Sequence, residues 1–207
     1  SGAIAGCDIS GDAAKTLRND PSITVIKGIT SVPRVLQFTI KGEGKPWQDK
    51  RVRQAMSMAI NRQEIIDKAY GGEAVLTGPI PPGYGEFSPS DEMVKKAYGK
   101  YDPDGAKKLL ADAGFGNGFE IVLTTLNPPP DYQAMAEVVK EHLKKVGIEV
   151  KLVIKELANF AKDYNEGTFE WLLNGRGMRH DPTGYVNEFG RPTVAQAKIW
   201  FNDGKGW

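Results

Sequence analysis

Between Asn174 and Pro182 the chain reads NGRGMRHDP, its densest gathering of groups that could bind or react. Arg176, Arg179, His180 and Asp181 fall within six positions, and Gly175 and Gly177 among them would let the backbone approach a bound molecule closely. Guanidinium groups only donate hydrogen bonds, so a solute held by Arg176 or Arg179 would present a carboxylate, a phosphate or an array of sugar hydroxyls. Asn174 and His180 would orient such a solute. The competing reading is a solvated turn in which Asp181-Pro182 begins a helix.

Other chemistries find less support. His142 and His180 are far apart and come with no cysteine spacing, which argues against zinc. Ser57 lacks the glycine-flanked elbow of a hydrolase nucleophile. GFGNG at 114–118 follows a helical pattern and precedes a strand, the reverse of the order in which a glycine loop cradles phosphates. No cofactor is implied. A net charge of +1 over 207 residues supplies no bulk attraction to nucleic acid or to an anionic membrane. Basic residues are not interleaved with aromatics on one face either. Cys7, the single cysteine, excludes an internal disulfide; it reads as a small hydrophobe, with lipid attachment the alternative.

The elements that must position the 174–182 loop are legible in the spacing. From Glu120 the pattern alternates: strand EIVLTTL, helix 131–146, strand IEVKLVIKE, helix 158–165, strand FEWLLNGRG. Such alternation predicts an α/β fold, a mixed central sheet flanked by helices. Ligands of open α/β sheets lie beyond the carboxyl ends of the strands, which singles out the loops Leu126–Asp131 and Asn174–Asp181. Upstream, Val52, Ala55, Met56, Ala59, Ile60, Ile65, Ile66 and Ala69 recur at helical spacing with a register break. Asp49 and Asn61, the latter followed by Glu64, predict two capped helices broken near Asn61 and ended by Gly71-Gly72. SITVIK (22–27) and VLQFTI (35–40) have strand composition, and DAAKTLRND predicts a helix ending near Asn19. GPIPPGYGEFSPS, with four prolines and three glycines, predicts a long ordered loop packed down by Ile80, Tyr84 and Phe87. Asp102-Pro103 predicts a helix start, closed by Gly114. Trp171 reads as core.

Several of these phrases have a family wording. Pro46-Trp47-x-Asp49-x-Arg51-Val52-Arg53-x-Ala55 running into Ala59-Ile60-Asn61-Arg62 resembles the family 5 extracellular solute-binding proteins, the dipeptide, oligopeptide and nickel receptors that feed ABC importers. Tyr101-Asp102-Pro103, Ala113-Gly114-Phe115 and Gly118-Phe119-Glu120 are similar to the same family, as are Gly6, Asp8 and Ile9 in shortened form. The resemblance spans roughly residues 2–190 and implies the type II periplasmic binding protein fold. Residues 1–33 would be a remnant of the first lobe and the hinge, and 34–207 a truncated second lobe. It further implies a substrate-binding role without catalysis: a peptide, oligosaccharide or anionic solute captured between two lobes and passed to a membrane permease by a monomeric periplasmic or extracellular protein.

Asn127 and Asp131 match cleft-lining places in that family. Gly175 matches the glycine of a Gly-Trp-x-x-Asp-like loop whose aspartate pairs with a peptide's amino terminus. Arg176 stands at the tryptophan place and Met178 or Arg179 where the aspartate would be, so the amine-binding charge is lost or reversed unless Asp181 substitutes in a longer loop. The alternatives in other classes are a ligand-sensing domain of a regulator and an α/β enzyme using His180 and Asp181.

Overall fold

The computed structural model describes residues 11–26, 32–39, 41, 43–127, 130–175 and 181–185. Along them run α1 (Gly11–Leu17), β1 (Arg34–Phe38), α2 (Lys50–Ala59), α3 (Arg62–Tyr70), α4 (Asp91–Tyr98) and α5 (Pro103–Asp112). Then follow β2 (Phe119–Leu126), α6 (Pro130–Lys144), β3 (Ile148–Lys155), α7 (Leu157–Glu166) and β4 (Trp171–Gly175). Gly6, Cys7, Asp8, Ile9, Lys27 and Ile40, named above, lie outside the described residues.

The strands form one mixed sheet in the order β1-β4-β2-β3. β2 runs parallel to β3 from Phe119↔Ile148 to Leu126↔Lys155 and parallel to β4 at Leu123↔Trp171 and Thr124↔Leu172. β1 alone is antiparallel, with Arg34 opposite Gly175 and Phe38 opposite Trp171. The carboxyl ends of β2, β3 and β4 and the amino end of β1 therefore share one edge. Side chains alternate across each strand. Ile121, Leu123, Ile148, Val150, Trp171 and Leu173 join Ala136, Val139 and Leu143 of α6 and the buried stripe of α2, Val52, Ala55, Met56 and Ala59. Leu172, on the other face, packs with Phe160 of α7 and Phe169. Phe38 stacks on Trp171 with ring centroids 5.4 Å apart. Where β2 and β4 stop pairing, the Glu170 carboxylate stands in for the missing ladder partner, accepting the Val122 N–H at 2.9 Å.

The break between α2 and α3 falls at the predicted place because polar groups finish both helix ends. Asp49 accepts the Arg51 N–H at 2.7 Å at the start of α2, and Asn61 Oδ1 accepts the N–H groups of Gln63 and Glu64 at 3.1 and 3.2 Å at the start of α3. Arg62 turns back and donates through Nη1 to the Ser57 carbonyl at 3.0 Å and through Nη2 to the Ser57 hydroxyl at 2.8 Å. Burial lowers its pKa, and the carbonyl end of α2 supplies the negative dipole facing its charge. Glu64 does not reach back to the Asn61 N–H as a capping box would. His142 of α6, 1% exposed, takes that place: its Nδ1 accepts the Asn61 N–H at 3.3 Å, so its Nε2 is the donor to Glu64 Oε2 at 2.8 Å. Lys68 pairs with Glu64 from the solvent side at 2.6 Å.

Three expectations change. Ser22–Ile26 is not a strand: no ladder partner reaches it among the described residues, and Ile26 is 86% exposed. β-branched composition without a neighbour does not make a strand. Phe87 is 60% exposed rather than packed down, whereas Tyr84 meets the buried Tyr185 edge-on at 5.7 Å. α4 was not anticipated, although Ser90 accepting the Met93 N–H at 3.3 Å is an ordinary cap. GFGNG joins α5 to β2 as expected, and there Gly118 holds a left-handed φ of +76°. A Cβ at Gly118 would lie 1.8 Å from the Gly147 carbonyl oxygen.

Two predictions follow from these contacts. Gly118→Ala combines a strained φ with a backbone clash and should cost roughly 2–4 kcal/mol by urea denaturation. Glu64 is held down to about 2 by Lys68 first and then His142. The unfolded chain therefore takes up the Glu64 proton first as pH falls, and the carboxylate's contribution, full above its ordinary value near 4.5, is lost between there and about 2. Glu64→Gln should melt lower than the parent at pH 6, and the gap should close toward pH 2; a gap independent of pH would contradict this origin.

Candidate functional site

At the shared edge, the start of β1 and the start of α6 meet. Arg34 Nε donates to Asp131 Oδ2 at 3.0 Å, and the Tyr70 hydroxyl, from the end of α3, donates to the same oxygen at 3.0 Å. The two charged side chains retain 27% and 17% of their exposure. Tyr132, next along α6, lies flat beneath the guanidinium, 4.6 Å from the Arg34 Cζ to the ring centroid. Burial foremost, then the Asp131 carboxylate, pushes the Tyr70 hydroxyl well up, so it stays a donor. Burial likewise raises Tyr132. Burial opposes the charge of Arg34, but neighbouring Tyr132 and Asp131 outweigh it and raise its pKa. Asp131 also sits in the first turn of α6, where the free N–H groups favour a carboxylate.

Gly175 completes this arrangement by what it lacks. A Cβ there would stand 2.4 Å from the Tyr132 hydroxyl and 3.1 Å from Arg34 Nη1. Tyr132 also hydrogen-bonds the Gly175 backbone. The glycine thus admits the Tyr132–Arg34 stack against the end of β4.

Of the residues singled out in the sequence, Asp131 and Gly175 come together here. Asn174 is half-buried beside them, opposite Val35. Asn127 is exposed just past β2, with its N–H donated to the Lys155 carbonyl at 3.1 Å. Asp181 is exposed, and its Oδ1 accepts from the backbone N–H of Thr183 at 2.8 Å and from the Thr183 hydroxyl. That is the turn-starting role of the competing reading. Arg176, Met178, Arg179 and His180 lie outside the described residues. Arg34, Tyr70 and Tyr132 were not anticipated. Arg34 is 97 positions from Asp131, so no local spacing connects them; the signal available was an arginine immediately before the strand-like segment VLQFTI.

Among the described residues no group of three or more His, Cys, Asp or Glu could hold a metal ion. A groove of about 540 Å³ opens elsewhere, between Lys45, Trp47, Val122, Lys155 and Glu170. Its charges are spent on one another, with Lys45 paired to Glu170 at 2.8 Å and Lys155 paired to Asp163. Arg34 and Asp131 pair likewise, but their cluster sits where the carboxyl ends of β2 and β4 meet the start of α6, the usual ligand place of an α/β sheet.

Comparison with known proteins agrees with this architecture. The family described as bacterial extracellular solute-binding proteins, family 5 Middle, matches residues 1–196. Heme-binding protein A of Haemophilus influenzae is 31% identical over 186 residues, covering 85% of this chain and 32% of that protein. Di/tripeptide-binding protein 1 of Pseudomonas aeruginosa is 34% identical over 148 residues, 69% of this chain and 27% of its own length. The chain thus spans about a third or less of these relatives. Among solved structures, the periplasmic binding protein DppA of Helicobacter pylori, in complex with the peptide STSA, superposes with a TM-score of 0.71 at 27% identity, over 84% of this chain and 33% of that one. The chain belongs to the family 5 bacterial extracellular solute-binding proteins.

Proposed function

We propose that this chain forms one wall of the ligand cleft in the substrate-binding component of an ABC importer. The observation that carries the reading is the meeting of Arg34, Tyr70, Asp131 and Gly175 at the carboxyl edge of the sheet, the place where α/β sheets take ligands, in a chain of this family. Residues 34–207 would be the second lobe and 1–33 the hinge and a remnant of the first. Closure of two lobes on the solute would create the form that a membrane permease accepts. The protein works outside the cytoplasmic membrane, as a monomer and without catalysis.

The relatives' names span heme, di- and tripeptides and glutathione, and a structural neighbour, AgaA, was solved with agropinic acid. The fold therefore serves varied solutes, and local residues select among them. The reading assigns solute contacts to Asn127, Asp131, Asn174, Gly175, Arg176, Met178, Arg179, His180 and Asp181. The arginines among them favour a peptide-like or anionic solute over a simple ammonium. The enzyme reading loses ground because Asp181 is engaged with Thr183.

A thermal-shift screen of peptides, oligosaccharides, anionic metabolites and chelated nickel tests the proposal. A solute at ten times its Kd contributes about 1.4 kcal/mol to the native state, which raises Tm by roughly 3–6 °C for a chain of this size. At least one class should do so at 10 mM, roughly ten times the millimolar Kd expected of a single wall; silence from all of them would sink the reading. Calorimetry on the same chain should give no Kd near the nanomolar range, about −12 kcal/mol, because a single wall supplies only part of the contacts.

A further inference from the structure

We infer that Arg34 is a specificity-determining residue of the cleft, an anchor for a carboxylate group of the solute, with Asp131, Tyr70 and Tyr132 as the residues that hold it in place. The inference rests on the transport reading above and adds the group that is recognised and the residue that recognises it.

A guanidinium carries five N–H donors. Among the described residues Arg34 meets three acceptors: Asp131 at 3.0 Å, the Val32 carbonyl at 3.4 Å and the Tyr70 hydroxyl, which takes a hydrogen bond from it. At least two N–H groups have no acceptor among the described residues, on a side chain that keeps 27% of its exposure at the ligand edge of the sheet. The group is also immobilised to a degree that a surface arginine is not. Its plane is fixed by Tyr132 below, by Asp131 at one side and by the absence of a side chain at Gly175. A donor fork already fixed in orientation loses little further entropy on binding a planar acceptor.

The neighbouring charge narrows the choice of acceptor. Asp131 brings a full negative charge to the cluster, so a doubly charged phosphate would meet repulsion that a monocarboxylate meets less. Asp131 Oδ2 receives both Arg34 and Tyr70, whereas Oδ1 has no donor among the described residues. A solute bearing a carboxylate with an N–H nearby would satisfy both exposed partners.

The test compares trialanine with trialanine amide, which differ only in the terminal carboxylate, by calorimetric titration of the full 207-residue chain. The parent should bind the free acid at least tenfold more tightly. Arg34→Gln leaves Asp131 half-buried without its cation, so the double variant Arg34→Gln/Asp131→Asn keeps the hydrogen bonds without either charge, and circular dichroism monitors its fold. In that variant the ratio of the amide's Kd to the acid's should fall to about one. Arg34→Lys, which retains charge but not the fork, should lose most of the discrimination. A purely structural ion pair would leave the acid-to-amide ratio unchanged. The inference is overturned if the parent does not discriminate, if the double variant still does, or if the chain binds some solute of the screen but neither form of trialanine. In each of those cases the transport reading stands; if no solute binds at all, both fall.

Discussion

Arg34 can meet Asp131 only because β1 runs against its neighbour. In a sheet whose other pairings are parallel, an antiparallel β1 brings its amino end to the edge where β2, β3 and β4 finish. Had β1 been parallel, Arg34 would lie at the opposite end of the strand, about 13 Å away. The loop from β2 into α6 does the complementary work, delivering the first turn of α6 to the same edge. The ion pair is thus a product of topology, and beneath it lies the stacked core, where Phe38, four ladder steps inward from Arg34, lies against Trp171.

The helical layer handles charge in a related way. α2 and α3 are short, so their unsatisfied ends are a large part of their length. Asp49, Asn61, Arg62 and His142 each satisfy one of those ends. The His142 contact is the one that crosses elements, tying the start of α3 to the last turn of α6, and α6 carries Asp131 and Tyr132 at its other end. The placement of the candidate site is therefore linked through a single helix to a buried histidine. Exposed pairs such as Lys151 with Glu120 contribute little by comparison, since solvent screens them.

What was legible in the sequence was local. The alternation after Glu120 gave β2, α6, β3, α7 and β4 because periodicity and caps are written within a few residues of each other. The same locality explains the failures. Ser22–Ile26 has the composition of a strand, but a strand requires a partner, and partner choice is not local. α4 follows directly on a proline-rich stretch, so its Ser90 cap and Asp91-Glu92 first turn adjoin breakers that mark a loop. In the candidate cluster, Asp131 was expected from the strand-end rule and the family wording, whereas Arg34 and Tyr70 reach it from 97 and 61 positions away, beyond any local pattern.

The net charge of +1 is silent about a local anchor of the kind proposed for Arg34, because bulk charge sums over pairs such as Arg34 and Asp131. Arg34 and Asp131 largely cancel at a distance, yet within hydrogen-bond range they are separate and directional: one a fixed fork of donors, the other a carboxylate oxygen pair already half engaged. A neutral pair held rigidly in a half-buried setting discriminates by geometry and by local desolvation rather than by long-range attraction. Selectivity of the kind proposed would be insensitive to the rest of the surface, because the contacts that set it lie at a few strand-end positions.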